Sequence, residues 1–98
     1  MIFNIYFTPT TKRALEELKK NRGFKKRYKA VIKALKFLQK DPKHPSLQTH
    51  EYYSLKGPKG EKVFEAYAEG KMPAAYRIFF YYGPGKGSMT IFAITQHP

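Results

Sequence analysis

The sequence predicts an α+β fold with the element order β-α-α-β-β-β-β, in which two N-terminal helices pack on one face of an antiparallel or mixed sheet. Three observations support this prediction. Helical apolar spacing is confined to residues before position 42. Four short β-prone segments, separated by Gly/Pro turns, follow position 51. The chain has 98 residues, which is enough for one small domain, so we assign residues 1–98 to a single domain.

The first half of the chain is expected to hold one strand and two helices. Residues 2–7 are short and β-prone, and Thr8-Pro9 is typical of a helix N-cap followed by the first helical residue. This first helix is expected to end near residues 21–23. A second helix is expected over residues 24–40, where apolar residues follow the i, i+4, i+7 spacing and Asp41-Pro42 ends the pattern.

Residues 43–51 are expected to form a loop, and everything beyond them is strand-like. The turns between the strands are expected at residues 57–60, 70–73 and 83–87, each rich in glycine or proline. The helices would cover one face of the resulting sheet and leave the other face open. The predicted strands span residues 52–56, 62–68, 75–82 and 89–96.

The charge balance indicates a polyanionic partner. Nineteen Lys/Arg against seven Asp/Glu give a net charge of +12, and residues 19–43 hold eleven Lys/Arg and a single acid, Asp41. Such a field attracts nucleic acid, an anionic membrane surface or an acidic protein. Charged helix faces are often merely solvated, but they usually mix signs, and this one does not. We therefore predict RNA backbone contact by the lysine stripe of the second helix: Lys25, Lys29, Lys33, Lys36 and Lys40.

Composition argues against several other classes of protein. The chain has no cysteine, which removes disulfides and thiolate sites, and it has no apolar run near the roughly 18 residues of a membrane span. The N-terminus lacks the pattern of a signal peptide, so we expect a cytoplasmic protein with no membrane partner. We expect no metal and no other cofactor, because no H-x-x-x-H motif or carboxylate cluster is present.

Arg77 is the first candidate site residue, because it lies inside an otherwise apolar strand. Alternation places Arg77 on the same face as Ala75, Phe79 and Tyr81. Since an arginine packed against the helices would need a buried partner, we assign it to the open face. From the residues alone, Arg77 is a phosphate ligand, a solvated residue or the partner of Glu65 on the neighbouring strand.

The three histidines are candidates for proton transfer, since histidine titrates near neutral pH. His44 lies between two prolines and is expected to be a rigid loop residue. His50 directly precedes Glu51 and is either a loop residue or a second proton shuttle. His97, the penultimate residue, is either part of a solvated tail or an acid–base group.

In the order and spacing of its sequence segments, the chain resembles the RelE/ParE toxin superfamily over nearly its whole length. The similar residues are the two-helix opening, Leu-Lys-Gly within residues 54–57, residues 63–67, residues 75–80 and the terminal segment 94–97. The resemblance implies the toxin of a type II toxin–antitoxin system that acts on mRNA in the ribosomal A site. It implies metal-free endoribonuclease cleavage, which leaves a 2′,3′-cyclic phosphate or a 3′-phosphate end and inhibits translation. It also implies a cognate antitoxin, which the basic charge predicts to be acidic.

The resemblance also implies roles for individual residues. Arg77 would contact the scissile phosphate, and Glu65, in a strand similar to the Tyr-Glu-Leu-Arg strand of HigB-like members, would be the base. His97 is similar in position to the C-terminal histidine of YoeB-like and HigB-like toxins, which serves as acid or base, and with Glu65 as the base it would be the acid. Tyr67 stands where HigB-like members have an arginine, and it would stack a base or donate a hydrogen bond. Lys56 resembles a basic family position near the phosphate.

Two other functions stay open at this stage. One is a ParE-like inhibitor of DNA gyrase that acts without catalysis. The other is a non-catalytic RNA-binding module of the same fold. A candidate acid–base set in the C-terminal half argues against the gyrase inhibitor, whose sheet would not need one.

Overall fold

The computed structural model describes residues 2–70 and 74–96, and its elements confirm the α+β prediction. Two short 3-10 turns, at Arg22–Phe24 and Pro45–Leu47, precede the second helix and the second strand. The main elements are β1 (Asn4–Phe7), α1 (Pro9–Lys20), α2 (Lys25–Lys40), β2 (His50–Lys56), β3 (Lys62–Tyr67), β4 (Tyr76–Tyr82) and β5 (Ser88–Gln96).

The helices begin and end where their local sequence satisfies the backbone. The Thr8 hydroxyl accepts a hydrogen bond from the Thr11 N–H at 3.2 Å, and Pro9 occupies the first helical position of α1. Helix α2 begins at Lys25, one residue later than predicted, because Phe24 belongs to a 3-10 turn. It ends at Asp41, which is extended before a proline. None of the described helices is both long and apolar enough to cross a bilayer.

The sheet has five strands in the order β1-β5-β4-β3-β2. Strand β1 is parallel to β5, and the other neighbouring pairs are antiparallel. The helices cover one face, where Val31 and Leu38 of α2 pack into one core with Ile78 and Phe80 of β4. The opposite face is the open face, and it receives the side chains that alternate with this core.

A β-bulge in β5 explains why Ile91 and Ile94, three residues apart, both lie in the helix-facing core. Phe79 pairs with Ala93 while Phe80 pairs with Ile91, so Phe92 is an extra residue on β5. The insertion shifts the alternation by one residue. It turns the ring of Phe92 towards Phe79 and Tyr81 of the open face, at 6.3 and 5.9 Å between ring centroids.

The predicted loop over residues 43–51 is wrong at its C-terminal end. Leu47 closes a 3-10 turn and is buried in the core, and β2 already begins at His50. Strand β2 starts this early because His50 pairs with Glu65 of β3, a contact across 15 positions of sequence that no local pattern shows. His50 is therefore a strand residue whose side chain shares the open face with Glu65.

Two of the three predicted turns are present as expected. The Gly60 N–H donates to the Gly57 carbonyl at 3.0 Å, and the Gly83 N–H donates to the Ser88 carbonyl at 2.9 Å. Gly60 has φ +83°, a conformation that glycine adopts without steric cost. The turn predicted at residues 70–73 lies mostly outside the described residues.

Candidate active site

Four side chains from three strands meet around one carboxylate on the open face. We call them the Glu65 cluster: His50 of β2, Glu65 and Tyr67 of β3, and Arg77 of β4. The register brings them together, because Glu65 pairs with His50 on one side and Tyr67 pairs with Arg77 on the other. All four are candidates from the sequence, His50 only as one of two alternatives, and Glu65 contacts the other three directly.

The Glu65 carboxylate is buried and is held by three neighbours. Its Oε2 accepts a hydrogen bond from Arg77 Nη1 at 2.9 Å. Its Oε1 lies 2.8 Å from His50 Nε2 and accepts a hydrogen bond from the Tyr67 hydroxyl at 3.2 Å. The Glu65 side chain is only 4% exposed, and the ion pairs found in the described part of the chain both involve it. A carboxylate so far from water is stable as an anion only with such partners.

The Arg77 guanidinium is held at the surface of this cluster. Its Nε donates to Thr95 Oγ1 at 3.4 Å, and its central carbon lies 4.9 Å from the centroid of the Phe79 ring. Tyr52 of β2 contacts the same Phe79 ring edge-on at 4.9 Å. The Arg77 side chain is 20% exposed, so it joins a buried carboxylate to solvent. The pairing with Glu65 that the sequence left open is therefore present, and contact with a phosphate stays a prediction.

Tyr67 acts as a hydrogen-bond donor in this arrangement. Burial raises the pKa of the Tyr67 hydroxyl above its ordinary value of 10.0. The negative charge of Glu65 and the hydrogen bond to it raise this pKa further, while Arg77 opposes them. The hydroxyl therefore keeps its proton at neutral pH. The Tyr67 ring also lies beside the His50 ring, with 5.7 Å between centroids.

The histidines differ most from the sequence prediction. Of the two alternatives for His50, the loop is wrong, because His50 is a strand residue that contacts Glu65 through the β2–β3 register; its role as a proton shuttle stays a prediction. His44 is not a member of the cluster: its ring stacks on Phe37 at 4.1 Å, and its Nδ1 accepts the Ser46 N–H at 3.1 Å. His97 lies outside the described residues, and its role stays a prediction. The residue before it, Gln96, pairs with Tyr76 next to Arg77.

The lysine stripe lies exposed along α2, a helix with seven Lys/Arg and no Asp/Glu. One end of α2 approaches the Glu65 cluster. Arg27 Nη1 donates to the carbonyl of Ala74, three residues before Arg77, at 3.0 Å. Lys33 and Tyr67 line one cleft of about 140 Å³. The exposed lysines are Lys25, Lys29, Lys33, Lys36 and Lys40.

Two lysines with predicted RNA contacts lie away from the Glu65 cluster. Lys36 lines a different cleft, beside Ile5 and Phe7 of β1. Lys56 ends β2, whereas His50 begins it, and six residue-to-residue steps along the strand separate the two by about 20 Å. The structure therefore does not bring Lys56 to the carboxylate, and its contact with RNA stays a prediction.

The Glu65 cluster offers acid–base groups and a cation. Within residues 2–70 and 74–96, no three His, Asp or Glu side chains form a group that could hold a metal ion. The cluster presents a carboxylate, an imidazole, a phenol that donates and a guanidinium with donors directed to solvent. This set can accept a proton and stabilise an anion at the same place.

Comparison with known proteins supports the fold. No family model matches the chain, and no curated protein sequence matches it. Among solved structures, the chain is similar to the crystal structure of the archaeal RelE–RelB complex from Pyrococcus horikoshii OT3. The TM-score is 0.68 with 15% sequence identity, over 99% of this chain and 97% of that chain. The similarity confirms that the chain has the RelE-like fold.

Proposed function

We propose that this RelE-like domain is the toxin of a type II toxin–antitoxin system and a metal-independent endoribonuclease that cleaves mRNA on the ribosome. The observation that supports it best is the Glu65 cluster, in which a buried carboxylate lies 2.9 Å from a partly exposed guanidinium. RNA cleavage without a metal needs a base for the 2′-hydroxyl, a cation for the phosphorane and an acid for the leaving oxygen. Glu65 and Arg77 meet the first two needs at one place.

The reaction is a transfer between two oxygens of the RNA. Glu65 takes the proton of the 2′-hydroxyl, and the 2′-oxygen forms a bond to phosphorus. The bond from phosphorus to the 5′-oxygen breaks, and the leaving oxygen receives a proton from His97, which we assign as the acid because Glu65 is the base. The products are a 2′,3′-cyclic phosphate and a 5′-hydroxyl, and the cyclic product can hydrolyse to a 3′-phosphate.

Arg77 can bind a phosphate while it keeps Glu65 in place. A guanidinium has five N–H donors and cannot lose its proton in a protein. One donor on Nη1 is used by Glu65, and Nε makes a long contact to Thr95. Among the described residues no atom accepts from Nη2, so these donors can reach two phosphoryl oxygens.

The basic surface supplies the second part of the proposal. Helix α2 has no acidic residue, and its exposed lysines can contact the RNA backbone or the ribosome. The same positive charge of α2 favours an acidic partner that binds this surface while the toxin is inhibited. The similar archaeal RelE was crystallised in a complex with RelB. We therefore propose an acidic antitoxin as the partner of this chain.

The test is induced expression in a bacterial host. Growth should stop, and incorporation of labelled amino acids should fall before incorporation of labelled thymidine. Primer extension on abundant mRNAs should then show new 5′ ends within coding regions. The matched control is the Arg77→Ala variant expressed to the same level, which should leave growth and mRNA intact.

The other outcomes identify the alternatives. An early stop of replication with gyrase–DNA breaks would show a ParE-like inhibitor and refute the nuclease. Growth arrest that is equally strong with Arg77→Ala, without new mRNA ends, would indicate an RNA-binding module that blocks translation without cleavage.

A further inference from the structure

His50 connects the buried carboxylate of Glu65 to solvent. Its side chain is 45% exposed, whereas that of Glu65 is 4% exposed. Its Nε2 lies 2.8 Å from Glu65 Oε1, and its Nδ1 lies 2.8 Å from the carbonyl oxygen of Gln48. The imidazole ring is thus held at both nitrogens, on one side by the backbone and on the other by the carboxylate.

These two contacts determine where the protons lie. A carbonyl oxygen only accepts hydrogen bonds, so Nδ1 must bear a hydrogen and donate it to Gln48. At 2.8 Å a lone pair on Nε2 would repel the lone pairs of Glu65 Oε1, so a second proton lies between these atoms. Tyr67 and Arg77 also donate to the Glu65 carboxylate and favour its ionised form, so the shared proton stays on His50 and the two side chains form an imidazolium–carboxylate pair. Facing this pair in the described part of the chain are Tyr67 from β3 and Arg77 from β4.

The backbone before β2 is shaped to present the Gln48 carbonyl. Gln48 has φ +49° and ψ +40°, the left-handed conformation that a residue with a side chain rarely adopts. It directly follows a 3-10 turn whose last residue, Leu47, is anchored in the core. Strained backbone of this kind persists where the surrounding structure enforces it, often beside functional groups.

We propose that His50 is the positioning residue through which Glu65 acts as the base, a role that rests on the proposed nuclease function. Its ring holds the carboxylate ionised and aligned before reaction. After Glu65 has taken the 2′-hydroxyl proton, the imidazolium releases its Nε2 proton to water, and Nε2 then accepts the proton of Glu65 while Nδ1 keeps its hydrogen on the Gln48 carbonyl. This route returns a carboxylate that has no direct contact with bulk solvent to its starting state.

The contact between His50 and Glu65 also argues against His50 as the acid for the leaving 5′-oxygen. In displacement at phosphorus, the attacking and leaving oxygens lie roughly in line on opposite sides. Glu65, as the base, lies beside the attacking 2′-oxygen. Because His50 is hydrogen-bonded to Glu65, it lies on that same side. Protonation of the leaving 5′-oxygen must come from another group, and His50 and the predicted acid His97 therefore have different roles.

The experiment is single-turnover cleavage of mRNA on programmed ribosomes by the full chain. His50→Ala should lower the rate by about 10²-fold or more, with RNA binding retained. Added imidazole should restore part of the activity, because the site of the missing ring is open to solvent. Tyr53→Ala, which removes a ring that is 77% exposed from the same strand, is the matched control and should neither lose activity nor respond to imidazole.

A second substrate distinguishes the proposed role of His50 from that of His97. An mRNA with sulfur in place of the leaving 5′-oxygen needs no acid, because a thiolate leaves unprotonated. This substrate should restore the rate of His97→Gln and should leave the defect of His50→Ala unchanged. If it restores His50→Ala, or if His50→Ala cleaves the ordinary mRNA as fast as the parent, the proposed role of His50 is wrong while the nuclease function stands.

The protonation of the His50 ring can be measured without any cleavage reaction. It therefore tests this inference separately from the proposed function, which a parent protein that does not cleave RNA would refute. Nitrogen-15 NMR of the histidine rings near pH 7 should show hydrogens on both nitrogens of His50. His44 is the internal control, since its Nδ1 accepts a hydrogen bond from Ser46 and should lack a hydrogen. A His50 ring with an unprotonated Nδ1 would overturn the proposal.

Discussion

Replacement of Arg77 by lysine separates the proposed catalytic role of this residue from its structural role. Arginine holds Glu65 through Nη1, contacts Thr95 through Nε and lies over the ring of Phe79. Lysine keeps the charge but offers one compact ammonium group on a flexible stem. The ammonium group of lysine can pair with Glu65. It then lacks the separate nitrogen with which arginine can still donate to two phosphoryl oxygens.

The expected magnitudes differ between rate and stability. Both Arg77→Lys and Arg77→Ala should lower the cleavage rate by about 10²-fold or more, which is about 2.7 kcal/mol in the barrier. Only Arg77→Ala leaves the buried Glu65 carboxylate without its guanidinium. Its unfolding free energy should fall by about 3 kcal/mol, the low end for a broken buried pair, because Arg77 is 20% exposed. The unfolding free energy of Arg77→Lys should fall by clearly less.

The assay combines single-turnover cleavage on programmed ribosomes with urea unfolding followed by circular dichroism. Arg27→Lys is the matched control, since Arg27 donates to a backbone carbonyl, that of Ala74, and not to Glu65, and it should tolerate the change in both assays. If Arg77→Lys cleaves at the rate of the parent, charge alone is sufficient and the bidentate phosphate contact is wrong. If both Arg77 variants cleave normally, the site is misplaced.

Three further predictions concern the base, the pH dependence of stability and the basic helix. Glu65→Gln should slow single-turnover cleavage by about 10²–10⁴-fold while RNA binding is retained, and an unchanged rate would exclude Glu65 as the base. Because the unfolded chain releases the Tyr67 proton near pH 10 and the folded chain keeps it, stability should fall above that pH, by at most about 1.4 kcal/mol per pH unit. In urea unfolding at pH 9 to about 11, Tyr67→Phe should reduce this fall of the unfolding free energy. The control Tyr53→Phe, at a residue that is 77% exposed, should not reduce it, and equal pH curves for the two variants would refute the prediction. Replacement of Lys29, Lys33 and Lys36 together by glutamine should lower the log–log salt slope of RNA binding by about 0.7–0.9 for each phosphate that is no longer neutralised, and an unchanged slope in the titration would be the contrary result.

The sequence was sufficient for the elements and for part of the site. Capping at Thr8-Pro9 and the helix stop at Asp41-Pro42 are local, so the ends of α1 and α2 were predicted to within a residue or two. Alternation within β4 placed Arg77 on the face away from the helices. Glu65 and Tyr67 were selected through resemblance, and alternation put them on one face of β3.

The remaining features depend on contacts between distant segments. The strand order, with β1 parallel to β5 at one edge, follows from no local pattern. The register that pairs His50 with Glu65 decides both where β2 begins and that His50 belongs to the cluster. The bulge at Phe92 changes which side chains of β5 face the helices, and alternation in the sequence alone assigns them incorrectly.

The chemical nature of the RNA ends shows whether the 2′-hydroxyl of the mRNA attacks the phosphate. Ribosome-bound mRNA is incubated with the parent protein, and the fragments are analysed by mass spectrometry beside those of an mRNA with a 2′-deoxy nucleotide at the cleavage position. Attack by the 2′-oxygen predicts a 2′,3′-cyclic phosphate or its 3′-phosphate hydrolysis product on one fragment, a 5′-hydroxyl on the other, and no cleavage of the 2′-deoxy mRNA at that position. Fragments with 5′-phosphate ends, or equal cleavage of the 2′-deoxy mRNA, would contradict catalysis by Glu65 and Arg77 through the 2′-hydroxyl.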